Sequence, residues 1–230
     1  MSSYDAFAPI YDQWTAHMTE DVAWYAELAQ EADGPVVELA VGNGRVAVPV
    51  AQAIGRTVIG IDRSPAMLAG ARERADAAGV ELDLREGDMR DLALDEPAGL
   101  IYCPARSLMH LPTWADKRRV FERVAASLRP GGRFAWNAFV FSHKVAAASD
   151  GVHQVERGIG HTVHQFPHES RLDIALDGGA QVSLWWATKA EWEGLIDVAG
   201  LEVETLYSGF ERELFGEGSG EFVWVVRKRV

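Results

Sequence analysis

Three acidic residues set the chemistry open to this chain. Glu38 lies in the apolar run Val36-Val37-Glu38-Leu39-Ala40, just ahead of the glycine turn Val41-Gly42-Asn43-Gly44-Arg45. Asp62 ends a second run, Ile59-Gly60-Ile61, and Asp88 stands between Gly87 and Met89 after a third. Glycines let a backbone take unusual angles and approach a ligand closely. A helix that starts beyond such a turn offers free N–H groups to the anionic parts of a ligand. Strand, turn and helix together make a seat for a nucleotide-like ligand. Residues 42–47 fit the pattern G-x-G-x-x-A of dinucleotide sites, with Asp62 in place for ribose hydroxyls. Glu38 argues for a different ligand, because a carboxylate is repelled by a pyrophosphate and attracted to a positive amino group. Asp88 beside the apolar Met89 suits the edge and face of an adenine.

These residues need strands to carry them. Asp33-Gly34-Pro35 breaks the preceding pattern, and from Val36 onward the order alternates. Strands are expected at 36–40, 57–61, 80–85, 98–103 and 133–140, and helices at 45–54, 65–78 and 113–128. Pro65 suits a first helical turn, and Arg129-Pro130-Gly131-Gly132 is a strong helix stop. Such alternation implies an α/β fold with a mostly parallel sheet and helices on both faces. Ahead of it, residues 4–31 carry aromatic residues at helical spacing, expected as one or two helices of a cap. After Phe141 the pattern changes. Strands are expected at 161–166, 171–176 and 181–186 with no helices between them, and Asp177-Gly178-Gly179 is a hairpin signal. This segment reads as an antiparallel patch inserted late in the sheet. A helix at 188–199 and strands at 201–208 and 222–228 close the chain. The expected organisation is one domain: a helical cap over 1–34, a ligand-binding core over 36–140, an antiparallel flap over 142–187 and the end of the sheet over 188–230.

The composition narrows the partners. With 230 residues, 48% of them hydrophobic, the chain can bury an ample core. Its net charge of −12 opposes a polyanionic substrate, and Arg227-Lys228-Arg229 is too short a basic run to reverse that field. Cys103 is the one cysteine, which rules out an internal disulfide and a cysteine-based zinc site and points to a reducing cytoplasm. His161-x-x-His164 matches neither one face of a strand nor the helical pair of zinc proteases, so no metal is expected. No basic segment followed by an apolar one opens the sequence at Met1-Ser2-Ser3-Tyr4-Asp5, and no apolar run nears membrane-spanning length. A cytoplasmic protein with neither nucleic acid nor membrane as partner is expected; its oligomeric state is open.

The set Glu38 to Gly44, Ile59-Gly60-Ile61-Asp62, Gly87-Asp88-Met89 and Leu128-Arg129-Pro130-Gly131-Gly132 resembles the class I S-adenosylmethionine-dependent methyltransferases over about residues 36–140. The opening Tyr4-Asp5-x-x-Ala8-x-x-Tyr11-Asp12 is similar to small-molecule members, including sugar-amine N-methyltransferases and glycine N-methyltransferase-like enzymes. The resemblance implies a Rossmann-like sheet of seven strands with the last one antiparallel. It implies S-adenosyl-L-methionine as cofactor. Glu38 would anchor the glycine loop near the methionine amino group, with Ala40, Gly42 and Gly44 beneath methionine and ribose. Asp62 would take the ribose hydroxyls, with Arg63 and Met67 near the adenine. Asp88 would bond the adenine amino group, and Met89 a ring nitrogen. The segment Cys103-Pro104-Ala105 would face the methionine end, and Tyr11 would lie over it. The family usually has glycine where this chain has Ala40, and a small residue or cysteine at Val41. Ala40 is disfavoured if φ is positive there.

The reaction so implied is displacement of a sulfonium methyl by a nitrogen, oxygen or carbon of a small-molecule acceptor. The protein's main tasks are in-line positioning and exclusion of water. His110, a few residues past the fourth strand, is the candidate base, since ligands sit at such strand ends and histidine titrates near neutrality; a packing or capping role is the alternative. Tyr11 is the second catalytic candidate. Tyr4, Phe7, Trp14 and Trp24 are expected to pack. Of Trp185 and Trp186, alternation lets at most one line a pocket. Arg45 is expected either near the methionine carboxylate or exposed. The expected activity is methyl transfer to an amine or hydroxyl. Two alternatives stand beside it: an NAD-dependent oxidoreductase using the same loop, and a non-catalytic binding protein on the same fold.

Overall fold

The computed structural model describes Tyr4 and residues 7–229; Asp5 of the Tyr-Asp pair and the start at residues 1–3 lie outside the described residues. Two helices precede the sheet, α1 (Tyr11–Thr15) and α2 (Glu20–Gln30). The buried face of α2 carries Trp24, Tyr25, Leu28 and Ala29, a helical spacing that lays one stripe against the sheet. The alternating region follows as β1 (Val36–Leu39), α3 (Ala47–Ile54), β2 (Val58–Asp62), α4 (Pro65–Ala78), β3 (Leu82–Glu86), β4 (Ala98–Cys103), α5 (Trp114–Ser127) and β5 (Leu128–Phe139). Side chains cap α4 and α5 as their sequences imply. Ser64 accepts the Met67 N–H ahead of Pro65, and Thr113 accepts the Asp116 N–H.

Beyond β5 come α6 (His143–Ser149), β6 (His153–Glu156), β7 (Ile159–Phe166), β8 (Arg171–Leu176), β9 (Gln181–Trp185), α7 (Lys189–Val198), β10 (Leu201–Tyr207) and β11 (Glu221–Lys228). The main sheet has seven strands in the order β3-β2-β1-β4-β5-β11-β10. β11 runs antiparallel to both β5 and β10, and the other pairings are parallel. Neighbouring residues on one strand feed opposite layers. Val37 and Ile101 join a core with α5 and α7, while Val36 and Leu100 join another with α2 and α3. This two-sided burial explains why the strands read as continuous apolar runs.

Three expectations need correction. The late antiparallel segment does not enter the main sheet; β6, β7, β8 and β9 form a separate sheet in that order. β6 and α6 were not foreseen, because every residue of His153–Glu156 is exposed and α6 buries only Ala146. The fifth strand starts at Leu128 rather than 133, with a register shift between Ala98 and Leu100 of its partner that absorbs Pro130-Gly131-Gly132 as a bulge. No helix among the described residues is long and apolar enough to cross a membrane.

Candidate active site

Strand order reverses between β1 and β4, and an open α/β sheet holds its ligand at the carboxyl ends beside that point. A cavity of about 350 Å³ lies there, walled by residues from the ends of β1 to β4, from the N-terminal segment and from β9. After Leu39 the chain turns through left-handed backbone, with φ of 55° at Ala40, 55° at Gly42 and 77° at Gly44. Helix α3 therefore starts at Ala47 and not at 45. Ala40 holds a Cβ where one is disfavoured by about 1 kcal/mol. A Cβ on Gly44 would press on Val48 and Ala71 at 3.3 and 3.4 Å, so this glycine serves helix packing rather than the cavity wall. The bulk of Val41 is accommodated by Gly60 across from it, where a Cβ would meet Val41 at 2.9 Å.

Asp62 braces the loop. Its Oδ2 accepts the Gly42 N–H at 2.9 Å and its Oδ1 the Ser64 N–H at 2.8 Å. Burial raises its carboxyl pKa, and backbone donors from Ser64, Gly42 and Arg63 oppose that rise. Asp88 is the opposite case. Partial burial raises its pKa, but hydrogen bonds from the side chain and backbone of Arg90 outweigh this and hold the carboxyl below its usual range. Arg90 in turn reaches Asp116 at the start of α5 (2.7 Å), so the third acid is oriented from the neighbouring helix. Glu38 is 1% exposed and sits behind the wall, not in it. Burial pushes its carboxyl up to about 8, against the pull of Tyr102 and Arg45.

The other end of the cavity is a hydrogen-bonded chain between distant segments. The Tyr4 hydroxyl lies 2.6 Å from His110 Nε2, and His110 Nδ1 lies 3.2 Å from the Ser183 carbonyl oxygen. A carbonyl only accepts, so Nδ1 carries the proton and Nε2 accepts from Tyr4. Burial holds the His110 pKa down at about 4, opposed by Ser183, so the ring is neutral at pH 7. Tyr11 lines the cavity, and burial raises its hydroxyl to about 12, against the opposing effect of Arg45.

Of the residues singled out from sequence, Tyr11, Ala40, Gly42, Asp62, Arg63, Met67, Asp88, Met89 and His110 line this one cavity. Glu38, Gly44 and Pro104 do not; Pro104 is buried behind the wall, and its neighbour Ala105 lines the cavity. Trp185 lines it while Trp186 stacks on Phe141 and Trp192 is fully buried. Tyr4, expected to pack, lines the cavity too, as do Ser107, Gln181 and Ser183. The odd-numbered side of β9 carried the signal for the last two, but nothing in the sequence places β9 beside β4. Arg45 fits neither expectation, because it forms a paired ion bridge with Asp21 of α2 at 2.8 and 2.6 Å. The flap histidines are dispersed: His153 pairs with Asp177, His168 with Glu169, and His161 stands edge-on to Trp14.

Comparison with known proteins agrees with this geometry. Residues 36–132 match the family described as a methyltransferase domain. The chain is 26% identical over 234 residues to 27-O-demethylrifamycin SV methyltransferase of Amycolatopsis mediterranei (strain S699), covering 87% of this chain and 84% of that one. Among solved structures, the CcbJ methyltransferase from Streptomyces caelestis superposes with a TM-score of 0.83 at 25% identity, over 97% of this chain and 96% of that one. The sugar N-methyltransferase KedS8 from Streptoalloteichus sp ATCC 53650 shares the fold, with a TM-score of 0.69 at 19% identity over 91% of this chain and 87% of that one.

Residues 36–132 carry the match to the methyltransferase domain, and the whole chain is similar in sequence and fold to methyltransferases. Methyl transfer from S-adenosylmethionine is the activity that these likenesses support. The residues present fit such a cofactor. Left-handed backbone and the acids Asp62 and Asp88 line the cavity, and the buried Oε2 of Glu38 has no hydrogen-bond partner among the described residues, which suits a cationic ligand end.

Proposed function

We propose that this enzyme methylates an amine or hydroxyl of an uncharged small molecule. One observation carries the reading: the charged residues lining the cavity, Asp62, Arg63 and Asp88, all lie at its cofactor end, and the acceptor end is aromatic and neutral. An ammonium or carboxylate acceptor would need a partner of opposite charge, since a buried unpaired charge is strongly disfavoured. Neutral hydrogen-bonding groups are supplied instead. β9 is the edge of its sheet, and the bonds Leu176 N–H to Ala180 O and Trp186 N–H to Ser170 O fix which of its residues face β8. Gln181, Ser183 and Trp185 have the other parity, so their backbone groups face the open edge, and all three line the cavity.

In this reading Gly42, Asp62, Met67, Asp88 and Met89 hold the cofactor, with Ala40 and Arg63 beside them and Glu38, Gly44 and Pro104 supporting the loops from behind. When bound, the cofactor supplies an electrophilic methyl group. The chain's own residues orient the acceptor and exclude water. Tyr11 closes the methyl-donor end. Tyr4 and His110 act as a pair on the acceptor's N–H or O–H, with neutral His110 holding the Tyr4 hydroxyl in direction. A buried imidazole that resists protonation is a weak base, so we assign His110 to orientation before proton removal. The chain works as one domain, with cap 1–34 and flap 142–187 closing on core 36–140 and the sheet completed by 188–230. A reducing cytoplasm suits its single buried thiol, Cys103.

The test is incubation of the purified protein with methyl-labelled S-adenosylmethionine and a panel of small amines and alcohols, amino sugars included. Label in a neutral amine or hydroxyl compound is expected. Transfer confined to nucleic acid, protein or permanently charged acceptors would contradict the proposal.

A further inference from the structure

Two polar side chains interrupt the glycine loop, Asn43 and Arg45, and neither lines the cavity. Both reach toward the N-terminal helices. Asn43 is 8% exposed, and its Nδ2 donates to Asp12 Oδ1 at 2.7 Å. Arg74 of α4 closes the group, donating to that same Asp12 oxygen and, from Nε, to the Asn43 carbonyl at 3.0 Å. Arg45 holds Asp21 with side chains only 13% and 3% exposed, and also donates to the Met18 carbonyl at 2.5 Å.

The two ties differ in kind. Breaking a buried ion pair such as Arg45–Asp21 leaves one charge stranded, so that tie anchors the fold. Asp12 lies at the surface with its side chain 70% exposed, so its tie to Asn43 can open without unfolding anything. Asp12 directly follows Tyr11. A Cβ on Gly42 would lie 3.9 Å from the Tyr11 hydroxyl, so the ring spans the loop on the cavity side. On its outer side α1 meets the flap, where Gln13 Nε2 donates to the Arg157 carbonyl at 2.5 Å and Trp14 packs on His161.

We propose that Asn43 and Asp12 form a latch. They are positioning residues that hold α1, and through it Tyr11, across the cofactor, and they set how long the cofactor stays bound. This inference rests on the assignment of the cavity as the cofactor site. It gives the Asp of the Tyr11-Asp12 pair and the Asn within Gly42-Asn43-Gly44 a common task, although they are 31 positions apart.

The test is the dissociation rate of S-adenosylhomocysteine, followed by stopped-flow competition. Asn43→Asp removes the amide donor and sets a second carboxylate beside Asp12, a repulsion that Arg74 offsets in part; release should speed by about tenfold, the weight of one hydrogen bond to a charged group. Asp12→Ala should act in the same direction. The exchange Asp12→Asn with Asn43→Asp restores the bond with its polarity reversed and should bring release back to within about threefold of the parent. The new carboxylate at 43 remains in that double variant, so a direct effect of its charge on the ligand would persist there. All three should melt within a few degrees of the parent. Parental release from Asn43→Asp, or no recovery in the exchange, would overturn the latch. Failure of the parent itself to bind S-adenosylhomocysteine would instead overturn the cofactor site, and the latch with it.

Discussion

The two ends of the cavity are built on different plans. At the end proposed for the cofactor, acids follow consecutive strands, and those on the wall are held by hydrogen bonds from Gly42 and Ser64 to Asp62 and from Arg90 to Asp88. At the acceptor end no charged side chain lines the wall among the described residues, and contacts join segments far apart, Tyr4 to His110 across 106 positions and His110 to Ser183 across 73. In the proposed reading the cofactor is met by charged side chains at the ends of the main-sheet strands, and the acceptor by neutral groups on a cap and an appended sheet.

That contrast breaks most clearly at Asp62. Asp62→Ala leaves the Gly42 and Ser64 N–H groups without their acceptor and should weaken S-adenosylhomocysteine binding by about 100-fold, read by calorimetry. Tyr4→Phe and His110→Ala belong to the other end. Each should lower turnover on the acceptor found by the labelling screen by about tenfold while leaving cofactor affinity within about twofold. Equal losses in both quantities would erase the distinction between the two ends.

The pH dependence sharpens it further. Burial raises the Glu38 carboxyl from its ordinary value of 4.5 to about 8, so the folded protein holds a proton that the unfolded chain has released. Its stabilising contribution is complete below 4.5 and is lost as pH rises through 8. His110 has the opposite sign: lowered from 6.5 to about 4, it contributes fully above 6.5 and loses its contribution as pH falls. From pH 6.5 upward the Glu38 slope dominates until Lys117, which burial lowers to about 8, opposes it near that value, so the ligand-free melting temperature should fall between pH 6.5 and the approach to 8. A cation in the cavity acts on Glu38 through the low-dielectric wall and lowers its carboxyl, so S-adenosylmethionine should release part of a proton on binding near pH 7. Calorimetry in buffers of different ionisation heats reads this, and Glu38→Gln should abolish both effects.

The smallest expected change is at Ala40. Ala40→Gly relieves a left-handed alanine, a gain of about 1 kcal/mol offset by the entropy of a freer unfolded chain. Cofactor affinity should stay within about threefold of the parent. A large gain would mean that the methyl group crowds the ligand.

The same contrast decides how much could be read from sequence. The cofactor end was legible because its residues sit in short contiguous motifs, each tied to the end of an apolar strand. Nine of the residues chosen there or at His110 and Tyr11 line one cavity. Apolar runs gave away the main sheet for the same reason, since its central strands β1, β4 and β11 are buried on both faces. The acceptor end was legible only in fragments. Tyr4 looked like one packing aromatic among several, since its partner His110 is set by tertiary folding. β6 and α6 carry too little buried surface to show a period, so the flap looked like an extension of the sheet and not a sheet of its own. Arg45 was misjudged because its partner Asp21 lies on a helix whose docking no local pattern reveals.

Titration of the wild-type protein with S-adenosylhomocysteine, run beside NAD in the same calorimeter, tests the central claim most directly. Saturable binding of one S-adenosylhomocysteine per chain, with no heat from the dinucleotide, is the expected result. Binding of NAD, or of neither compound, would contradict the assignment of this cavity.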